Sequence, residues 1–348
     1  MNITTVGLDL AKLHFQVHGV DARGKVTLRK QLKRSQGITF FAQLTPCLVG
    51  MEACGGAHYW ARKLSGVGHT VKLIAPQFVK PYVKTNKNDA ADAEAICEAV
   101  GRPNMRFVPI KNTEQQALLG LHRARQGFVA MRTAQANQVR GLLIEFGLVI
   151  PLGIRYIEQK MPEFIEDAEN GLSGASRSLF GRLLGNFRQL DRQVKELERE
   201  INAWHREDAA SRRIEAIPGI GPLTASALVA SVGDAKLFHN GRQFAAWLGL
   251  VPRQDSSGGK TTLLGISKRG DTYLRTLLIH GARSVLLNLK RHPDRASGWL
   301  GRIADRRNPN IAAVALANKN ARVVWALLAH GRDYQANFSS AMPLATGA

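Results

Sequence analysis

Apolar residues in the first hundred positions recur with a strand rhythm before they take up a helical one. Val6 to Leu10 is an apolar run broken by Asp9, the pattern of a buried strand. The chain then alternates through Phe15, Val17 and Val20, turns at Asp21-Ala22-Arg23-Gly24 and returns through Val26 and Leu28, a hairpin signal. A short helix over 37–44, an apolar run from Cys47 to Met51 that ends at Glu52, a helix over 57–64 and a strand over 71–75 follow. A meander leading into βαβ units predicts a mixed sheet with flanking helices, an α/β domain.

Beyond it the rhythm is helical. Residues 114–148 form a long helix closed by Pro151, with Leu118, Leu121, Phe128, Leu142 and Phe146 interleaved with Arg123, Arg125, Arg132 and Arg140. One face can pack while the other is solvated or meets phosphate. In a second helix Phe180, Leu183, Phe187, Leu190, Val194, Leu197, Ile201 and Trp204 alternate spacings of three and four, the seam of a coiled coil. Two partners suit that seam, a second protomer or the 114–148 helix of the same chain. Near residue 211 a short helix, the turn Pro218-Gly219-Ile220-Gly221 and a helix opening at Pro222 resemble a helix-hairpin-helix, whose glycines let backbone amides approach a DNA phosphate. A tight turn with no ligand is the plainer account of the same residues.

Length and charge narrow the function. At 348 residues the chain exceeds what one core organises, and the expected division is a catalytic domain over 1–112, a helical connector over 113–209, a mostly helical C-terminal domain over 210–335 and a disordered tail over 336–348. With 48 Lys and Arg against 27 Asp and Glu, the formal net charge of +21 points to a polyanionic partner. The excess is concentrated: residues 251–348 hold 15 basic and 5 acidic side chains. No apolar run approaches the ~20 residues of a spanning helix and no signal peptide opens the chain, so no membrane is expected and the location read from sequence is cytoplasmic, beside DNA. Cys47, Cys54 and Cys97 make no CxxC pair and the ten histidines show no paired spacing, so neither a zinc site nor a disulfide framework is expected.

Against that basic background four acids stand out. Asp9 lies inside an apolar strand, Glu52 ends a strand before Gly55-Gly56, and Asp89 and Asp92 sit three apart at the start of a helical pattern, on one face. A buried carboxylate costs several kcal/mol unless it meets a cation or donor, so Asp9 in particular needs a partner. Strand, strand end and helix face are the positions from which a ribonuclease H type fold aims its acids at one point. Oxygen-only ligands select a hard ion, Mg²⁺ or Mn²⁺, and the chemistry that suits them is two-metal phosphodiester transfer with ions about 4 Å apart. Taken singly, Asp89 is also a candidate helix cap, Asp92 and Glu52 are candidate surface charges, and Asp9 is a candidate partner for Lys12 or an arginine.

A last segment, GLVPRQDSSGGKTTLLGISKRGDTYLRTLLIHGARSV, sets Ser256 and Ser257 against Gly258-Gly259 among Lys260, Lys268, Arg269, Arg275 and Arg283. Glycines admit a DNA backbone close to a hydroxyl and the cations stabilise charge on phosphorus, although a serine needs a base or metal to activate it. Within this segment only Asp255 is an acid adjacent to the serines, and an SSGG loop is commonly just surface.

The four acids in this order, with GLVPRQDSSGGK and GISKRGDTYLRTLLIHGAR after them, resemble the DEDD transposases of the insertion-sequence 110 class, the Piv-type recombinases, and within it the branch typified by insertion sequence 1111. The resemblance runs from Asp9 to about Trp325. It implies a RuvC-like (RNase H-like) first domain, a coiled-coil connector and a C-terminal transposase domain whose serine becomes covalently joined to DNA. It further implies Mg²⁺ at Asp9, Glu52, Asp89 and Asp92, with Ser257 as nucleophile and Ser256 as the adjacent candidate. Gly219, Gly221, Lys260, Lys268, Arg269 and Arg275 are the candidate nucleic-acid contacts. The implied partners are DNA, a structured guide RNA encoded beside the gene, and further copies of the chain as a dimer or tetramer. Two rivals use the same residues differently: a Holliday-junction endonuclease working through the carboxylates and water, and a non-catalytic nucleic-acid-binding protein.

Overall fold

The computed structural model describes residues 2–84, 88–292 and 298–336. The expected tail, apart from Ala336, lies outside them. The chain divides into two compact units, 1–115 and 116–348.

In the first unit β1 (Thr5–Leu10), β2 (His14–Val20) and β3 (Val26–Lys33) form the expected antiparallel meander. After α1 (Gly37–Ala42) the chain enters β4 (Leu48–Glu52), crosses through α2 (Ala57–Gly66) and returns as β5 (Thr70–Ile74). A one-turn helix α3 (Pro76–Val79), the longer α4 (Asp89–Val100) and a two-residue strand β6 (Phe107–Val108) complete the unit. The sheet order is β3-β2-β1-β4-β5-β6, with β1, β4 and β5 parallel and the outer strands antiparallel. The mixed sheet read from the sequence is therefore present.

Alternation decides what covers each side. Val6, Leu8, Val49 and Met51 are buried with Phe15, Phe41, Trp60 and Leu64, so one face closes on α1 and α2. Gly7 and Gly50, paired in register, point the other way, onto α4. There a Cβ on Gly7 would stand 2.1 Å from the Ala93 carbonyl oxygen and one on Gly50 would stand 2.7 Å from Val100 Cβ. The two glycines let α4 lie directly on the sheet backbone, where Ile96, Ala99 and Val100 meet Ile74 and Val79 in a second core.

Among its described residues the regular elements of the second unit are helices and one β-hairpin. Its long helices are α5 (Thr113–Ile144), which begins at the boundary between the units, and α7 (Gly174–Glu207), with α6 (Ile154–Glu166) between them. Contacts Arg125–Glu198, Arg132–Asp191 and Asn186–Gln135 run in opposite sequence directions, so α5 and α7 are antiparallel partners within one chain. Of the two partners considered for the heptad seam, α5 is the one observed. Phe180, Phe187, Val194 and Ile201 are buried, while Leu183, Leu190, Leu197 and Trp204 are half-buried and Leu184 and His205 take buried places beside them. The phosphate-facing role considered for the α5 arginines is corrected for three of four. Arg125 and Arg132 pair with acids of α7, and Arg140 donates to the carbonyls of Pro151 and Gly153. Burial raises Asp191, but its hydrogen bonds to Lys195 and Arg132 outweigh this and hold its carboxyl below the usual range.

The remaining core gathers α8 (Ala209–Glu215), α9 (Pro222–Val232), α10 (Gly241–Trp247), α11 (Thr272–Arg291), α12 (Gly298–Arg306) and α13 (Pro309–His330). One sequence expectation fails here. α13 has 22 residues and is apolar enough by length and composition to cross a membrane. It instead buries Ala313, Leu316, Ala317, Ala321 and Val324 in the centre of this core. Between α10 and α11 projects the hairpin of β7 (Pro252–Ser257) and β8 (Lys260–Ile266).

Candidate active site and nucleic-acid surface

Strand register brings the first two acids together. Leu8 pairs with Met51 across the parallel β1–β4 ladder, so Asp9 and Glu52 come one step later on neighbouring strands, about 5 Å apart at the backbone. They follow Gly7 and Gly50 by two residues and so project on the α4 side of the sheet. Helix α4 runs antiparallel to β1: Cys97 Sγ donates to the Thr5 carbonyl and Ala93 lies against Gly7, which aims the opening turn toward Asp9. Asp89 and Asp92 occupy that turn. Asn88, not Asp89, caps the helix, accepting from the Ala91 amide at 2.8 Å.

Asp9 and Glu52 thus lie at one end of the sheet on the α4 side, and the opening turn of α4, which carries Asp89 and Asp92, runs toward that end. Their donor set is entirely oxygen, which suits a hard divalent cation. Among the described residues, no three His, Cys, Asp or Glu side chains stand close enough together to hold an ion. Two residues overlooked in the sequence border the site. Cys54 has its thiol raised by burial and then by the charges of Glu52 and Asp9, so both carboxylates act on its sulfur. The Arg34 guanidinium lies over the rings of Phe15 and Trp60, each 5.4 Å away, donates to the Ala11 carbonyl and approaches Gly56. No local pattern marks Arg34, because its neighbours come from three different elements.

The serine segment is a β-hairpin and not a loop. Gly258 and Gly259 have φ of 55° and 78°, the left-handed pair that a two-residue hairpin turn requires. Ser257 pairs with Lys260 and Ser256 with Thr261, so the two hydroxyls face opposite sides. Gln254 Nε2 donates to Ser256 Oγ at 2.8 Å, whereas Ser257 shares its face with Asp255. Every residue from Pro252 to Gly265 is exposed.

The candidate nucleic-acid residues divide. Lys260, Lys268 and Arg269 are exposed. Arg275 is not a surface contact: it is 8% exposed and donates from Nη1 to the Leu248 carbonyl at 3.2 Å and from Nη2 to Thr272 Oγ1 at 3.1 Å. Gly219 faces Gly281 of α11, where an added Cβ would meet the carbonyl oxygen at 2.9 Å, so helix packing accounts for that glycine. Around Gly221 there is open space.

Comparison with known proteins accords with both units. A DEDD-type transposase model of the IS110 type, described as "Transposase", matches residues 6–147, and one described as "Transposase IS116/IS110/IS902 family" matches residues 211–296. A "Probable family 20 transposase" of Pseudomonas aeruginosa is 55% identical over 96% of this chain and 99% of its own length. The "Transposase for insertion sequence element IS1111A" of Coxiella burnetii is 45% identical, covering 96% of this chain and 92% of that protein. The "Transposase for insertion sequence element IS1328" of Yersinia enterocolitica is 44% identical over 95% of this chain and 98% of its own. With relatives matched nearly end to end and family models on the acid-bearing and serine-bearing segments alike, the chain belongs to the IS110 family of insertion-sequence transposases.

Proposed function

We propose that this transposase cuts and rejoins DNA through a serine–DNA intermediate, with a RuvC-like first unit in which Asp9, Glu52, Asp89 and Asp92 hold Mg²⁺, or Mn²⁺ in its place. What supports this reading is that Asp9 and Glu52 end neighbouring strands on the α4 side of the sheet, with the turn of α4 that carries Asp89 and Asp92 running toward them. A hard divalent cation is the ligand that carboxylate oxygens suit. When bound, such an ion lowers the pKa of an oxygen nucleophile and neutralises charge building on the phosphate.

The rest of the chemistry falls to side chains of the hairpin. Ser257 Oγ attacks phosphorus; an Oγ–P bond forms, a bond from phosphorus to one sugar oxygen breaks, and the hydroxyl proton is released. The sugar hydroxyl of a second strand then attacks the seryl phosphodiester and frees the serine. Ser257 is favoured over Ser256 because Gln254 already occupies the Ser256 hydroxyl. Lys260 opposite, with exposed Lys268 and Arg269, supplies positive charge for the phosphates. A structured RNA encoded with the element and further copies of the chain, as a dimer or tetramer, complete the assembly, and the net charge of +21 gives the protein capacity for both nucleic acids.

End-labelled DNA incubated with the protein, the RNA transcribed from the element and Mg²⁺, then resolved under denaturing conditions, tests this. Ser257→Ala should abolish the covalent adduct, Ser256→Ala should retain it, and Asp9→Asn should abolish cleavage. An adduct persisting in Ser257→Ala, or full cleavage by Asp9→Asn, overturns the reading.

A further inference from the structure

The exposed hairpin raises the question of what fixes it in space. From Pro252 to Gly265 every residue is exposed, so the strands carrying Ser256 and Ser257 gain little orientation from side packing. Orientation has to come from the root, where the chain leaves α10 and re-enters before α11.

The carbonyls of that root are all hydrogen-bonded. Four consecutive carbonyls, Leu248 to Val251, each accept from a different donor: Leu248 from Arg275 Nη1 at 3.2 Å, Gly249 from the Lys268 amide at 3.1 Å, Leu250 from Asn318 Nδ2 at 3.1 Å, and Val251 from the Ser267 amide at 2.8 Å. The amides of Leu248, Gly249 and Leu250 in turn donate to Phe244, Ala246 and Ala245. The two backbone segments cross in contact, since a Cβ on Gly249 would lie 2.2 Å from the Arg269 carbonyl oxygen and one on Gly270 would lie 2.0 Å from that of Trp247. Lys268, at φ 53°, is the one non-glycine residue with positive φ among the described residues, a conformation kept only where surroundings enforce it.

Two of the four donors are side chains from the helical body: Arg275 from α11 and Asn318 from α13. Each is half-buried or deeper and reaches a root carbonyl that no backbone amide serves. We propose that Arg275 and Asn318 are positioning residues that lock the root of the serine hairpin to the helical core and so hold the hydroxyl in register with the scissile phosphate; this rests on the serine reading above. Ser257 stands six residues beyond Val251, about 20 Å along the strand. A tilt of ten degrees at the root would move the hydroxyl by roughly 3 Å, whereas a misplacement near 1 Å is already worth about 10²-fold in rate. Neither side chain needs to touch DNA.

The test uses the full-length protein with two variants, Asn318→Asp, which keeps the shape and turns an acceptor toward the Leu250 carbonyl, and Arg275→Met. Single-turnover formation of the covalent adduct on labelled element-end DNA should fall about 10²-fold in each, while the DNA concentration for half-saturation stays within twofold. Arg275→Lys, which retains one donor, should recover part of the rate. Hydrogen exchange at the Ser267 and Lys268 amides should quicken in both variants, and this readout does not depend on which residue is the nucleophile. Parent-like adduct rates with unchanged exchange overturn the proposal, and so does a parallel loss of DNA affinity, which would make these side chains DNA contacts. Quickened exchange alongside an adduct that survives Ser257→Ala would leave the root lock standing and remove the serine reading instead.

Discussion

Gly7→Ala isolates the contact that aims α4. The new Cβ would stand 2.1 Å from the Ala93 carbonyl oxygen, 2.4 Å from the Cys97 amide nitrogen and 2.8 Å from Cys97 Cβ. Two of the three obstacles are backbone, so no rotamer change relieves them, and restoring ordinary contact distances requires α4 to retreat by roughly 1 Å or more. Retreat opens the core that Ile96, Ala99 and Val100 share with Ile74 and Val79. Overpacking against a flexible neighbour typically costs about 1–3 kcal/mol; against a helix backbone we expect about 3–5 kcal/mol. For a unit of this size that is a loss of roughly 10–20 °C in melting temperature. Thermal melts of the full-length protein, together with hydrogen exchange of peptides spanning 89–100, read the effect globally and locally. Gly66→Ala, in α2 with nothing within 4 Å of the added Cβ, is the matched control and should be neutral or slightly stabilising. If Gly7→Ala costs less than about 1 kcal/mol and leaves exchange over 89–100 unchanged, the close approach does not hold α4 and the alignment of its acids with the strands needs another cause.

Three further outcomes follow from local geometry. Burial, then the charge of Arg125, pushes His122 down to about 4, so the ring is neutral where it meets Tyr273 Oη and Ser226 Oγ; unfolding raises its proton affinity, stability is complete above about pH 6.5 and declines by about 3 kcal/mol as pH falls toward 4, and urea midpoints at pH 7 and 4.5 should lie closer together in His122→Gln than in the parent. Asp191→Ala leaves the half-buried Arg132, whose Nε already lacks a partner, without its carboxylate and should cost about 2 kcal/mol by denaturant titration, whereas the double change Arg132→Met with Asp191→Leu should recover most of it. Asn88→Ala removes the α4 cap and should cost about 1 kcal/mol, with faster exchange confined to the first turn that carries Asp89 and Asp92.

Much of the first unit was legible in the residues because its strands bury one face and alternate accordingly. Val6 and Leu8 against Gly7 and Asp9 state both the strand and its two sides. The hairpin at 252–266 was hidden for the converse reason: neither strand buries a face, so PRQDSS and KTTLLGI carry no alternation, and only Gly258-Gly259 signalled a turn. Arg275 reads as one more cation of a basic segment, because a buried guanidinium under a carbonyl has no local signature. The heptad seam of α7 specified an apolar stripe without naming its partner, and α13 passed unnoticed because Asn318, Lys319, Asn320 and Arg322 interrupt its apolar run. The acids were found from chemistry, yet their alignment depends on Gly7 and Gly50, which no carboxylate pattern picks out.

The central place of α13 bears on how the protein is made. Among the described residues it follows every other helix of the second unit in the chain, yet Ala313, Leu316, Ala317 and Val324 form the middle of that unit's core. As synthesis proceeds from the N-terminus at about 5–20 residues per second, α9, α10 and α11 emerge from the ribosome with their inner faces uncovered and must wait some seconds for the helix that closes them. A message cut short ahead of residue 309 would yield an intact sheet unit joined to an unclosed helical one, a product prone to clump or be degraded.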